Sequence, residues 1–198
     1  MTSDSRPAAV EPASSPTSVQ TATGDVYRLG HRWLIQGPIE VVFDVLSQLG
    51  SFPAWWSVFK SVESDDPAFG VGANARVRTR VVLPYDLDWA LTVAAMDRPR
   101  LIQLDATVLL ANRFPLRGPL RFTLTETGGG VEVLNDQVFT SERRLPRPLR
   151  AIAQRLFAYN HAWGFERGGI ALQKAVNQAV AARARSPIDG APMESYNA

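Results

Sequence analysis

A chain of 198 residues that is 45% hydrophobic and 20% charged can bury one sizeable core and is short for two. Its net charge of +2 is no argument for nucleic acid, which is not expected as a partner. The lack of cysteine excludes disulfides, thiolate metal sites and cysteine nucleophiles, and no apolar run approaches the ~20 residues that span a bilayer.

Residues 1–24 are mostly Ser, Thr, Pro and Ala, and residues 185–198 are similarly poor in large apolar side chains. The first reads as a disordered tail and the second as a flexible one, around a folded domain at 25–184. The first tail lacks the apolar region of a secretory signal, so a cytoplasmic protein is expected.

Residues 26–35 are rich in β-formers and predict a first strand. Gly37-Pro38 breaks it, and Ile39, Val42, Phe43 and Leu46 then recur at helical spacing, predicting a short amphipathic helix over 38–49. Residues 51–56 predict a second short helix, on which Trp55 and Trp56 cannot both face inward. Period-two patterns follow at 58–64, 73–83, 86–96, 100–108, 116–126 and 131–140, the last two joined at Gly128-Gly129-Gly130. An odd-length turn around Pro84 is expected to put Arg80 opposite Asp88 and Val81 opposite Leu87.

From 148 to about 183 there is no further proline and the helical pattern is strong. Arg155, Glu166, Gln173 and Asn177 fall on one narrow polar stripe at ~100° per residue. Leu149, Ile152, Leu156, Trp163 and Ile170 lie on one flank of the apolar arc, and Phe165, Leu172 and Val176 on the other. So wide an arc predicts an enveloped helix. Gly costs ~1 kcal/mol inside a helix, so Gly164 and Gly168 are read as points of close approach by the sheet. A long helix held by a curved antiparallel sheet of seven strands satisfies the whole pattern.

Several motifs agree. The run Gly37-Pro38-Ile39-Glu40-Val41-Val42-Phe43-Asp44-Val45-Leu46 resembles the Pro-x-x-x-Val-Phe-x-x-Leu helix of the START-like (SRPBCC) superfamily, particularly its polyketide cyclase/dehydrase-type members. Phe52-Pro53-Ala54-Trp55-Trp56 resembles its tryptophan turn, Gly70-Val71-Gly72 its strand-opening glycines, and Asp97-Arg98-Pro99-Arg100-Leu101 its Pro-bearing hairpin. The resemblance covers residue 26 to about 182. It implies an α+β helix-grip fold (START/Bet v 1-like) with two short helices after the first strand. Because that fold hosts carriers, cyclases, ring-hydroxylase subunits and receptors, it implies no single activity.

Three functions stay open: a carrier that binds a hydrophobic small molecule (lipid, quinone or polyketide-like); a cyclase or dehydratase using a cavity histidine; and an interaction module whose cavity is filled by its own side chains. Trp55, Trp56, Val77, Thr79, Trp89, Leu91, Phe122, Tyr159, Asn160, His161 and Trp163 are the expected ligand-binding residues, and the same aromatics would also serve as core. Asn160 and His161 either meet a ligand oxygen or bond to backbone in a packed core. His161, or else His31, is the candidate proton carrier, and His31 is cavity-facing or at the surface. Two distant histidines without clustered carboxylates make a metal site unexpected, and no cofactor is expected. Arg143, Arg144, Arg147 and Arg150 crowd the start of the long helix, where they oppose its dipole. They form either a solvated face or a transient membrane-surface contact worth ~1 kcal/mol per arginine.

Overall fold

The computed structural model describes residues 17–20, 25–82, 86–110, 114–141 and 146–185. Residues 1–16, the turn around Pro84, Arg143, Arg144 and residues 186–198 lie outside the described residues, as does the side chain of Arg147.

The elements run β1 (Thr17–Gln20), β2 (Asp25–Ile35), α1 (Ile39–Ser47), α2 (Phe52–Trp55), β3 (Phe59–Ser64), β4 (Asn74–Arg80), β5 (Asp86–Asp97), β6 (Leu101–Leu110), β7 (Phe114–Thr127), β8 (Gly130–Ser141) and α3 (Arg147–Arg185). One antiparallel sheet has the order β1-β2-β8-β7-β6-β5-β4-β3. Strands β2 to β8 are the expected seven. β1 is an addition: Thr17–Gln20, read as tail, pairs along the outer edge of β2. Short polar stretches carry little strand signal of their own, and an open strand edge supplies the partner.

Alternation along the strands decides which face is covered. In β4, Ala75, Val77 and Thr79 are buried while Arg76, Arg78 and Arg80 are exposed. β4 and β5 pair with Arg80 opposite Asp86, Thr79 opposite Leu87 and Arg78 opposite Asp88. The turn is odd, as expected, but the pairing sits two residues from the expected one, so each side chain keeps its face and takes a different partner. The ion pair therefore falls on Arg78 and Asp88, 2.8 Å apart and exposed. An even slip leaves the hydrophobic pattern intact, so that pattern alone cannot choose between the two.

The 39-residue α3 lies across the buried face, with Gly168, Gly169, Leu172 and Val176 turned inward. It is not enveloped. Leu149, Ile152, Tyr159 and Ile170 are all more than half exposed on the opposite side. One sheet can cover only one side of a helix, and no second layer packs on α3 among the described residues. The far end is fastened by Asp44 of α1, which accepts hydrogen bonds from Arg98 in the β5–β6 turn (3.0 Å) and from Arg183 (2.6 Å).

Close approach to α3 is made by two indoles. Trp33 of β2 donates from Nε1 to the Phe165 carbonyl (2.9 Å), and Trp56 donates to the Gly164 carbonyl (3.0 Å). A Cβ on Gly168 would lie 2.5 Å from the Trp56 ring, and one on Gly169 would lie 2.7 Å from the Trp33 ring. Gly164 differs from its expected role, since a Cβ there would meet Val58 at an ordinary 3.9 Å. The helix is thus close-fitted to tryptophans rather than to sheet backbone.

Candidate functional site

Between the sheet and the first half of α3 lies a cavity of about 120 Å³. Its floor is built from inward phases of the strands, including Val77 and Thr79 of β4, Leu87, Trp89 and Leu91 of β5, and Phe122 of β7. Its roof is Phe157, Asn160, His161, Gly164 and Phe165 of α3, and one end is closed by Phe52, Trp56 and Phe59. The space exists because an abrupt change of side chain occurs on the helix: glycine and polar residues face a sheet that offers mostly Leu and Val. Interiors pack tightly wherever shapes allow, so a void of this size reflects residues that cannot fill it.

Eight of the expected ligand-binding residues line the cavity: Trp56, Val77, Thr79, Trp89, Leu91, Phe122, Asn160 and His161. Three do not. Helix α2 ends at Trp55, and Trp56 adopts extended backbone that turns its indole into the core. Trp55 stays half-buried behind it, stacked on the Trp56 ring with its Nε1 donating to Ser51 Oγ (3.2 Å). Tyr159 sits on the outward side of α3, while Trp163 packs against the edge of the core without reaching the cavity. Tyr159 is 60% exposed, and Trp163 is half-buried with the Arg167 guanidinium 4.4 Å over its ring. Tyr159 shares the helical angle of the Arg155, Glu166, Gln173 and Asn177 stripe and Trp163 lies on a flank of the apolar arc, and the helix turns a narrower arc than that to the cavity.

The polar groups on the wall are few. Trp89 Nε1 donates to Thr79 Oγ1 (2.8 Å), which leaves the Thr79 hydroxyl hydrogen free to donate. Asn160 Oδ1 accepts from the Val82 backbone N–H (2.9 Å), so its oxygen ties α3 to the end of β4 at the rim instead of waiting for a ligand. Gln137 of β8 lies on the wall, buried, with Nε2 donating to Asn135 Oδ1 (2.9 Å); Asn135 Nδ2 in turn donates to the Arg121 carbonyl (3.2 Å). Gln137 was missed in the sequence. Its signal was there: Asn135 and Gln137 share the buried phase of β8 with Val131, Val133 and Phe139, and polar residues on an apolar phase need a reason.

His161 stacks on Phe165 (ring centroids 4.2 Å apart), and its Nε2 is buried with no hydrogen-bond partner. Burial, with a smaller contribution from the neighbouring His31, pushes its pKa from 6.5 down to about 3. His31 is neither at the surface nor on the cavity wall. It is buried 6.0 Å from His161, ring to ring, packed also against Trp33 and Phe165, and its Nε2 is likewise unpaired. Its pKa is lowered by burial, an effect opposed by Glu166. Both imidazoles are therefore neutral near pH 7. Among the described residues, no three His, Cys, Asp or Glu side chains come together as a metal site, and no helix is long and apolar enough to cross a membrane.

No family model matches the sequence, and no curated protein matches it. Solved structures do match in fold. A norcoclaurine synthase point mutant from Thalictrum flavum, in complex with a transition-state analogue, superposes with a TM-score of 0.57 at 14% identity, over 82% of this chain and 97% of that one. A START superfamily protein from Mycobacterium smegmatis gives 0.54 at 13% identity, over 76% and 97%. The Zhui aromatase/cyclase from Streptomyces sp. R1128 gives 0.53 at 15% identity, over 81% and 97%. At these identities the likeness shows the fold alone, the START/Bet v 1-like helix grip.

Proposed function

We propose, from a START-like helix-grip fold with an apolar cavity under its long helix, that this chain binds a small hydrophobic molecule carrying one hydroxyl or carbonyl group. The observation that carries the reading is the cavity wall: mostly aromatic and aliphatic, with Thr79, Gln137 and His161 as isolated polar points. Sites for small molecules have this composition, an apolar lining with a few placed polar groups.

Size sharpens the ligand class. An apolar cavity of roughly 150 Å³ accepts benzene, whereas drug-sized ligands occupy a few hundred Å³ or more. At about 120 Å³ the space suits one ring or a short chain, and a folded polyketide would require the helix to move. Long lipids are accordingly a poorer fit than phenols or single-ring quinones.

A cyclase or dehydratase is the second reading, prompted by the aromatase/cyclase and the synthase whose fold the chain shares. It would need His161 as base. A group that titrates at about 3 is poorly matched to proton abstraction near neutrality. We therefore favour binding without turnover.

The test is titration of the purified protein with phenol, p-cresol, benzoquinone and a medium-chain fatty acid, followed by tryptophan fluorescence and by melting temperature. Quenching and a raised melting temperature for the single-ring compounds, weakened by Gln137→Leu or His161→Ala by about 0.5–1.5 kcal/mol, are expected. No response to any member of the panel would sink the open cavity and leave the filled interaction module. Turnover abolished by His161→Ala would establish the enzyme.

A further inference from the structure

Two amides stand on the buried phase of β8, where Val131, Val133 and Phe139 set the pattern: Asn135, 1% exposed, and Gln137, 3% exposed. Burying an amide costs free energy unless its atoms find hydrogen bonds, so each atom's partner matters. Asn135 Nδ2 donates to the Arg121 carbonyl (3.2 Å), and Gln137 Nε2 donates to Asn135 Oδ1 (2.9 Å). This chain of bonds has one direction. A backbone carbonyl only accepts, so the Asn135 nitrogen must face it and the Asn135 oxygen must face Gln137. Gln137 therefore turns its own nitrogen to Asn135, and its Oε1 is left over. Among the described residues nothing donates to that oxygen, and Gln137 lines the cavity. Turning the amide over would set oxygen against oxygen, so the acceptor is fixed.

The other polar points on the wall do not choose between ligands in this way. His161 is neutral and carries one N–H and one bare nitrogen, so it can meet a donor or an acceptor. Thr79 can donate, but it stands on β4, with three strands between it and β8. A carbonyl compound that turns to Thr79 still leaves Gln137 Oε1 buried and without a donor. A hydroxyl donates to Gln137 and can accept as well.

We infer that Gln137 Oε1 is the specificity-determining group of the cavity, and that the ligand is an alcohol or phenol in preference to a quinone, ketone or aldehyde of the same size. Asn135 is its positioning residue, holding the amide so that the oxygen is the free end. The inference rests on the binding reading above and narrows it from any oxygen to a hydrogen-bond donor. A site built to bond a hydroxyl rejects the analogue that lacks one far more strongly than an apolar pocket rejects a missing methylene, because its buried acceptor is left unpaired.

Benzyl alcohol, benzaldehyde and ethylbenzene are matched in size and carry a hydroxyl, a carbonyl and no polar group. Their Kd values are measured by calorimetry on the full chain, wild type and Gln137→Leu. Wild type is expected to bind the alcohol about tenfold or more tightly than the aldehyde. Gln137→Leu is expected to bring the two within about threefold of each other, and to bind ethylbenzene at least as tightly as wild type does. Equal wild-type affinities for alcohol and aldehyde, or a preference that persists in Gln137→Leu, overturns the inference, and ethylbenzene binding in the same experiment leaves the cavity itself standing. No binding of any of the three overturns the open cavity together with the inference. The wild-type comparison can overturn it alone, whether or not the variant folds.

Discussion

The Trp56 indole and Gly168 fit one another so closely that a methyl group on the glycine would lie 2.5 Å from the ring, well inside contact distance. The same indole donates to the carbonyl of Gly164, one turn earlier. The tryptophan therefore sets both the distance and the rotation of α3 over the sheet, and with them the height of the cavity. Trp33 repeats the arrangement at Gly169 and Phe165.

Gly168→Ala and Gly164→Ala should have opposite effects. Alanine removes up to about 1 kcal/mol of helix-interior cost at either position. At 168 it also forces apart two buried groups, an overpacking cost of about 1–3 kcal/mol, so the net change is destabilising. At 164 the new methyl meets Val58 at an ordinary distance and stability should rise by a few tenths of a kcal/mol or more. Urea unfolding of both variants checks this, and equal effects would show that the indole does not fix the helix.

Acid should loosen the protein through the buried histidines. The folded-state pKa of His161 lies near 3, below the 6.5 of the unfolded chain. Between those values the unfolded state binds the extra proton, so stability is full above pH 6.5 and falls as pH drops toward 3, on the order of 1 kcal/mol per unit. His31 shifts in the same direction and adds to the slope. His161→Phe should flatten the decline of unfolding free energy between pH 6.5 and 4 relative to wild type. An unchanged slope would mean that His161 is not held neutral by burial.

Asn160→Ala distinguishes a rim contact from a ligand contact. The asparagine oxygen already accepts from the Val82 N–H, at an exposed position where water can take its place. Loss of about 0.5–1 kcal/mol of stability is expected. The Kd of a bound phenol, measured by calorimetry, should stay within about threefold. A tenfold loss of affinity would put Asn160 on the ligand.

Local pattern was enough to determine the order of elements from β2 onward, the buried phases of β4 and β5 and the long final helix. Period-two alternation at Ala75, Val77 and Thr79 and the Gly-Pro break before α1 depend on neighbours a few residues away, and these signals survive any tertiary arrangement. The motifs resembling START-like proteins pointed to the same helix grip that the solved structures share. Tertiary structure decided the rest. The β4–β5 register moved by two residues because an even slip keeps every side chain on its face, so the sequence pattern is indifferent to it. Tyr159 turned outward, on the angle of the polar stripe, and Trp163 reached only the edge of the core, because a single sheet covers one side of the helix. Gly168 met an indole because that contact bridges residues far apart in the chain: Trp56 and Gly164 are 108 positions apart, and their hydrogen bond exists only once the sheet has curved around the helix.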